Sequence, residues 1–339
     1  MNTNISRRGC LGMLAVAMGT RKAQAGSPIR LGLLHTLSPA PLYIAQGLGM
    51  FEAAGVQVEF HFFEAAQPIA AAAVAGDIDI GLTALTGGFY SLAGRGALKI
   101  IGGGLHEQQG FEGTAIMVSN KAFDAGLTSV DKLAGHSFGI TQYGASFHYM
   151  VGRIAQAEGF DLKSVTLRPL QQVSNMLAAV RTNQVDATMA VASMARPVAE
   201  AGEAHIIGWC GDFVPYQLTA LFTTPAMIAT RAADLRAFCG AYQKGVAEYR
   251  AAFLRVDAQH RPIYDAVTAA AIPLISRYVF TSDPAAGAKI EAGAGWYDEG
   301  APLDVADIRA QVAWFHAQGL VRGEIDPDAI IDTSFLPVR

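Results

Sequence analysis

The sequence predicts an α/β protein of two similar lobes, each a mainly parallel sheet flanked by helices. Three observations carry that prediction. Apolar runs of strand length alternate with runs of helix length, the pattern of parallel sheets covered on both faces. One order of three strands and two helices occurs twice, with Gly32 and Gly139 separated by 107 residues and Asp79 and Asp186 by the same 107. The chain, at 339 residues, is long enough to divide into two cores.

The N-terminus reads as an export leader and not as part of the fold. Ser6-Arg7-Arg8 precedes an uncharged stretch, Gly9 to Thr20, and Ala23-Gln24-Ala25 supplies an A-x-A cleavage site. The apolar run is about a dozen residues, and a bilayer span needs about 20. Arg7-Arg8 also fits a twin-arginine signal. Cys10 lies before the apolar run, where a lipid-anchor cysteine would follow it. Residues 1–25 are therefore assigned to a signal peptide, and the mature chain to residues 26–339.

Removing the leader changes the charge. The chain has 25 basic and 29 acidic residues; Arg7, Arg8, Arg21 and Lys22 leave with the leader, so 21 against 29 gives −8. A mildly acidic chain without a basic cluster argues against a nucleic-acid partner. Two cysteines remain, Cys210 and Cys239, and in an oxidising compartment they are able to pair.

The first lobe opens with the strand Ile29 to Leu34. A loop with Ser38, Pro39 and Pro41 leads to a helix that stops at Gly47 and Gly49. A second strand, Val56 to Phe62, follows, then an Ala-rich helix ending at Gly76, and a third strand at Asp79 to Leu82. The second lobe repeats this. Ser137 to Thr141 is a strand, Gly144-Ala145-Ser146 starts a helix running to Glu158, Val165 to Leu170 is a strand, and Asp186 to Met189 is the third. Ligands of such sheets bind beyond the carboxyl ends of the strands. Four loops, 35–43, 83–88, 142–148 and 190–196, therefore face one another across a cleft.

The remainder is mostly helical. From Asp234, apolar residues at Leu235, Phe238, Tyr242, Val246, Tyr249 and Phe253 mark one helix face. Further helices are expected over 261–277, 284–297 and 304–318, and an extended tail over 325–339. Two passages cross between lobes, Gly102 to Gly113 and Gly211 to Gln217, whose glycine and polar content suits hinges. Lobe I is thus residues 26–112 plus 215–339, and lobe II is residues 113–214. The strands from Thr114 and from Thr219 are expected to be neighbours at the crossing, with His106 and Phe111 close to the cleft.

Particular runs carry a family resemblance. Pro41-Leu42-Tyr43-Ile44-Ala45, Gly49-Met50-Phe51-Glu52-Ala53-Ala54-Gly55-Val56 and Ala75-Gly76-Asp77-Ile78-Asp79-Ile80-Gly81 resemble the opening of nitrate/sulfonate/taurine-type ABC-transporter solute-binding proteins. Gly144-Ala145-Ser146-Phe147-His148-Tyr149 and Asn183-Gln184-Val185-Asp186-Ala187 are similar to their second lobe. The resemblance spans nearly all of the mature chain. It implies a two-lobed periplasmic-binding-protein fold of type II (a Venus-flytrap), periplasmic location, and the permease subunits of an ABC importer as partner. It departs at Ala192-Ser193-Met194-Ala195-Arg196-Pro197, where members often carry an aromatic-acidic-proline triplet.

Candidate ligand-binding residues follow from the four loops. Ser146 begins a helix, where free N–H groups and the helix dipole favour an anionic group. His148 is expected to donate to a carboxylate or sulfonate and to respond to pH. Thr83 and Thr86 offer hydroxyls after the third strand, or else stabilise the turn. Tyr43 is expected to stack on a flat ligand or bond through its hydroxyl. Arg196 is an anion partner by charge. His35, Ser38, Gln142, Ser193 and Met194 rest on loop position. Together they point to a small organic anion, a sulfonate, carboxylate or aromatic acid, with a neutral heterocycle left open. No cofactor and no metal site are expected, and the chain reads as a monomer.

Enzymatic signatures are weak. His148 stands where a nucleophile elbow wants its second glycine. Gly47-Leu48-Gly49 falls at a helix end, so it is no dinucleotide fingerprint. The enzymatic alternative is a thiamin-pyrimidine synthase of similar fold, which carries a cysteine cluster for iron chemistry. A binding subunit serving a sensor is the other alternative.

Overall fold

In the computed structural model, residues 27–259 and 261–339 are described. The expected leader, with Arg7, Arg8 and Cys10, lies outside them. Thirteen strands occur among the described residues. The first six are β1 (Ile29–Leu34), β2 (Val58–Phe63), β3 (Ile80–Ala84), β4 (Lys99–Gly103), β5 (Leu105–Glu107) and β6 (Thr114–Ser119). Then come β7 (Ser137–Ile140), β8 (Thr166–Pro169), β9 (Ala187–Val191) and β10 (Ala204–Trp209). The last three are β11 (Tyr216–Gln217), β12 (Thr219–Thr223) and β13 (Trp296–Tyr297).

Two five-stranded sheets have one plan. The first runs β2-β1-β3-β12-β4 and the second, in matching direction, β8-β7-β9-β6-β10. In each, the second strand is parallel to both neighbours, and the fourth strand is antiparallel to the third. The inner strands are covered: Ile29, Leu31 and Leu33 of β1 and every residue of β3, β6 and β12 are buried. Runs of this kind mark strands with helices on both faces.

The crossing differs from the expectation in two ways. The strands from Thr114 and from Thr219 are not neighbours. They lie in different sheets, in equivalent slots, β6 against β9 and β12 against β3. The passages between lobes are also not plain loops. β5 pairs with β11, Glu107 opposite Tyr216 and His106 opposite Gln217, and β13 pairs with the other edge of β5. Unpaired backbone in a buried crossing would leave polar groups without partners, and this small sheet satisfies them.

Side chains complete that joint. The Gln217 amide donates to Gly104 O (3.2 Å) and Thr219 O (2.9 Å), and its backbone N–H donates to Asp307 Oδ2 (2.9 Å). Gln311 donates to Gln217 O (2.9 Å) and to Asp307 Oδ2 (2.7 Å) and accepts from the Tyr90 hydroxyl (2.9 Å). Burial pushes the Asp307 carboxyl up to about 6 against these hydrogen bonds.

The helix Val305–Ala317 also bridges the sheets. Its Trp314 packs on His148 and Tyr149 of the second-lobe helix Ser146–Glu158, ring centroids 5.3 and 5.2 Å apart. Gly152 permits this approach, since a Cβ there would stand 2.2 Å from Trp314 Cζ2. The tail is tied to the first lobe by bridges from Ile331 to Ile100 and Val338 to Leu303. The helix expected from Asp234 begins earlier and runs Pro225–Phe253, bending at Arg231. Cys210 and Cys239 are both buried and unpaired, and they belong to separate cores, so the expected option of a disulfide is not taken.

Candidate ligand-binding site

A cavity of about 170 Å³ lies between the sheets, where the carboxyl ends of β1, β3 and β9 meet the start of the helix Ser146–Glu158. Its wall draws on each of the four expected loops. Thr36 to Pro39 follow β1, Thr83 and Ala84 end β3, and Ser146 and Phe147 open the helix. Val191 ends β9, and Ser193 and Met194 follow it. The crossing closes the floor with Leu105, Glu107, Thr114, Leu218 and Thr219. Gly293 and Gly295 add a wall from the far end of the chain, and a Cβ on Gly293 would stand 2.4 Å from Ser193 Cβ and 2.6 Å from Leu37 Cδ1.

Of the expected residues, the structure brings Ser38, Thr83, Ser146, Ser193 and Met194 to this cavity. Tyrosines hold its rim from behind. Tyr297 donates to Ser38 O (2.5 Å) and Tyr249 to Gly295 O (2.8 Å). Tyr43 acts the same way: it is buried, its hydroxyl donates to Thr36 O (3.2 Å), and its ring stacks on Tyr278 at 4.6 Å. It supports the loop and does not face the cavity.

The other expected residues are elsewhere. His35 is bonded through Nε2 to Tyr278 O on an exposed edge. Thr86 caps the helix Gly87–Ala93 by accepting from Phe89 N–H (3.1 Å). Gln142 donates to Gln171 Oε1 (3.3 Å) at the surface. Arg196 pairs with Glu112 and lies 5.8 Å over Trp209, facing a separate outer groove of about 710 Å³ that Phe111 and Trp296 also line. His106 turns toward Arg339.

His148 is the clearest change of role. Its Nδ1 accepts from Gly144 N–H (3.1 Å), which leaves the ring proton on Nε2, and its faces meet Tyr143 and Trp314. Burial pushes its imidazole down to about 4. At neutral pH it is an uncharged packing side chain, not an anion receptor.

No lysine, arginine or histidine lines the cavity among the described residues; Glu107 is its ionisable group. Sequence reasoning missed Glu107, Thr114, Thr219 and Leu105. The signal was available: Glu107 and Glu112 are the two acids in the passage Gly102 to Gly113 already assigned to the crossing, and a crossing between two lobes must border the cleft between them. Burial pushes the Glu107 carboxyl above its ordinary value, against the two Thr114 hydrogen bonds that lower it. The wall therefore holds a buried acid with no counter-charge among the described residues, and the helix N-terminus at Ser146 favours an anion by only about 0.3–1 kcal/mol. Among the described residues no three His, Cys, Asp or Glu side chains gather as metal ligands, and no helix is long and apolar enough to cross a membrane.

Comparison with known proteins identifies the family and the fold. The family model described as NMT1/THI5 like matches residues 37–252. No curated protein matches the sequence significantly. Among solved structures, the alkanesulfonate-binding protein SsuA of Xanthomonas axonopodis pv. citri, bound to MOPS, superposes with a TM-score of 0.69 at 17% identity, covering 92% of this chain and 100% of that one. The periplasmic aliphatic sulphonate-binding protein SsuA of Escherichia coli gives 0.69 at 15%, covering 91% and 93%. The periplasmic nitrate-binding protein NrtA of Synechocystis PCC 6803 gives 0.66 at 15%, covering 90% and 86%. The fold is therefore that of the two-lobed periplasmic binding proteins.

Proposed function

The chain belongs to the NMT1/THI5 like family, and on that premise we propose that it is the solute-binding component of an ABC-type importer. One observation carries this reading: a largely apolar cavity whose wall comes from the strand ends of both sheets and from the crossing between them. A solute there touches both lobes at once. It favours the closed arrangement by the difference in its affinity for the two arrangements.

On this reading residues 26–112 and 215–339 act as lobe I and residues 113–214 as lobe II, turning about the β5–β11 joint. The leader 1–25 exports the chain to the periplasm, where the closed monomer is presented to permease subunits. An engineered cavity of about 150 Å³ holds benzene, so a cavity of about 170 Å³ suits a single-ring solute. Action by binding and not by turnover fits the thiols, since the alternative of iron chemistry needs clustered cysteines and these two are buried in separate cores.

The test is a thermal-shift panel on residues 26–339 with single-ring sulfonates, carboxylates, amines and neutral heterocycles. A solute at a hundred times its Kd is expected to stabilise the fold by about 2.7 kcal/mol. A panel in which no solute moves the transition, or in which the stabilising solute is chemically converted, would contradict the reading.

A further inference from the structure

Glu107 is a buried carboxyl, 1% exposed, on the wall of an otherwise uncharged cavity. The crossing puts it there, opposite Tyr216 in the β5–β11 pair. Its side chain lies against Gly113, where a Cβ would stand 2.4 Å from Oε2. Thr114 donates twice, from N–H to Oε2 (3.1 Å) and from its hydroxyl to Oε1 (2.5 Å). A carboxylate offers about four acceptor positions, so about two stay open. No cation pairs with it among the described residues. The titratable groups nearest to it in charge interaction, Cys210 and Tyr216, are themselves buried, and burial holds both protonated.

A second observation points the same way. The Thr83 hydroxyl, on the same cavity wall and 3% exposed, has no hydrogen-bond partner among the described residues. Buried polar groups are normally paired, and an orphan calls for an explanation. A ligand that brings hydrogen-bond donors completes both groups.

We infer that the cavity recognises a small organic cation, a single apolar ring carrying an amidinium or ammonium group whose N–H donors bond Glu107 and the Thr83 hydroxyl. The ring lies against Leu37, Leu82, Phe147 and Met150, which the wall supplies. An organic anion of the same size meets a carboxyl and no counter-charge. The inference rests on the solute-binding reading and narrows it to one ligand class.

The test uses benzamidine, benzyl alcohol, benzoate and benzenesulfonate, with calorimetric titration of residues 26–339. Benzamidine is expected to bind, and the two anions are not. Glu107→Gln, which keeps the shape and the Thr114 contacts, is expected to weaken benzamidine by about tenfold to a hundredfold. Thr83→Val is expected to weaken it by a few-fold, and it carries the test if Glu107→Gln fails to fold. Binding of benzoate or benzenesulfonate in preference to benzamidine overturns the inference and leaves the solute-binding reading standing. So does benzamidine binding that neither variant weakens. Silence from all four probes overturns the inference, and silence from the wider panel overturns the solute-binding reading with it.

Discussion

The two lobes share an anchor and differ in what surrounds it. In the first, Asp79 Oδ2 accepts from Arg30 N–H (2.8 Å); in the second, Asp186 Oδ2 accepts from Ser137 N–H (2.8 Å). Arg30 and Ser137 are again 107 residues apart. Each carboxylate thus ties the third strand to the first at one register. The first lobe adds the Arg30 guanidinium, with Nη2 at 2.9 Å from Oδ1. The second adds only the Ser137 hydroxyl (2.8 Å) and the edge of His136 at 3.6 Å. The comparison teaches that the repeat preserves the scaffold bond, while the surrounding charge has diverged. It also separates scaffold from function, because the crossing that supplies Glu107 belongs to neither repeat.

The largest expected effect removes what joins the lobes. Trp314→Ala should cost about 3–5 kcal/mol by denaturant unfolding, because the ring fills the space over Gly152. A loss under about 1 kcal/mol would mean that the lobes are joined mainly at β5–β11.

Next come the paired glycines. A Cβ on Gly32 would stand 2.4 Å from Ile78 Cδ1 and 2.9 Å from Ile69 Cγ2, whereas one on Gly139 would stand 3.0 Å from Thr188 Oγ1. Gly32→Ala is therefore expected to cost about 1–3 kcal/mol and Gly139→Ala clearly less. Equal costs would dissolve the distinction between the two cores.

The anchors themselves follow. Asp79→Ala loses a half-buried ion pair and a backbone bond and should cost about 1–3 kcal/mol; Asp186→Ala, more exposed, should cost about 1 kcal/mol. Burial would raise both carboxyls, but their hydrogen bonds, from Arg30 and from Ser137, hold both below the usual value of 3.8. Their contribution is present above that pH and is lost as pH falls through the lowered value.

The last comparison is a pair of opposed titrations, which offset each other in the wild type. His148 titrates near 4 when folded and near 6.5 when unfolded, so stability falls as pH drops between those values, where only the unfolded chain takes the proton. Asp307 is raised from 3.8 to about 6, so its contribution is full below 3.8 and is lost as pH rises through 6. Melting temperatures at pH 7, 5.5 and 4.5 should show a flatter acid loss in His148→Gln and a steeper one in Asp307→Asn. Matching profiles would remove both groups from the account.

Much of the scaffold was legible because the repeat writes it twice. Alternating buried strands and the 107-residue spacing give the succession of elements in both lobes, and the carboxyl-end rule puts Ser38, Thr83, Ser146, Ser193 and Met194 beside the cavity. What was not legible depends on contacts between segments distant in sequence. His148 looks like a receptor until Gly144 and Trp314 are seen to enclose it. Arg196 looks like an anion partner until Glu112 is seen to hold it outside. Glu107 gains meaning only when β5 and β11 pair, and Gly293 only when the far end of the chain folds back on Ser193.

The most direct measurement runs the solute panel in parallel on the wild type and on Val173→Phe. Val173 lines the cavity from the start of the helix Val173–Arg181, so an added ring fills the space a solute would occupy. The expected result is that each solute that raises the wild-type melting temperature leaves the folded variant unmoved. The same shift in both proteins would place the solute outside the cavity between the lobes and contradict the account.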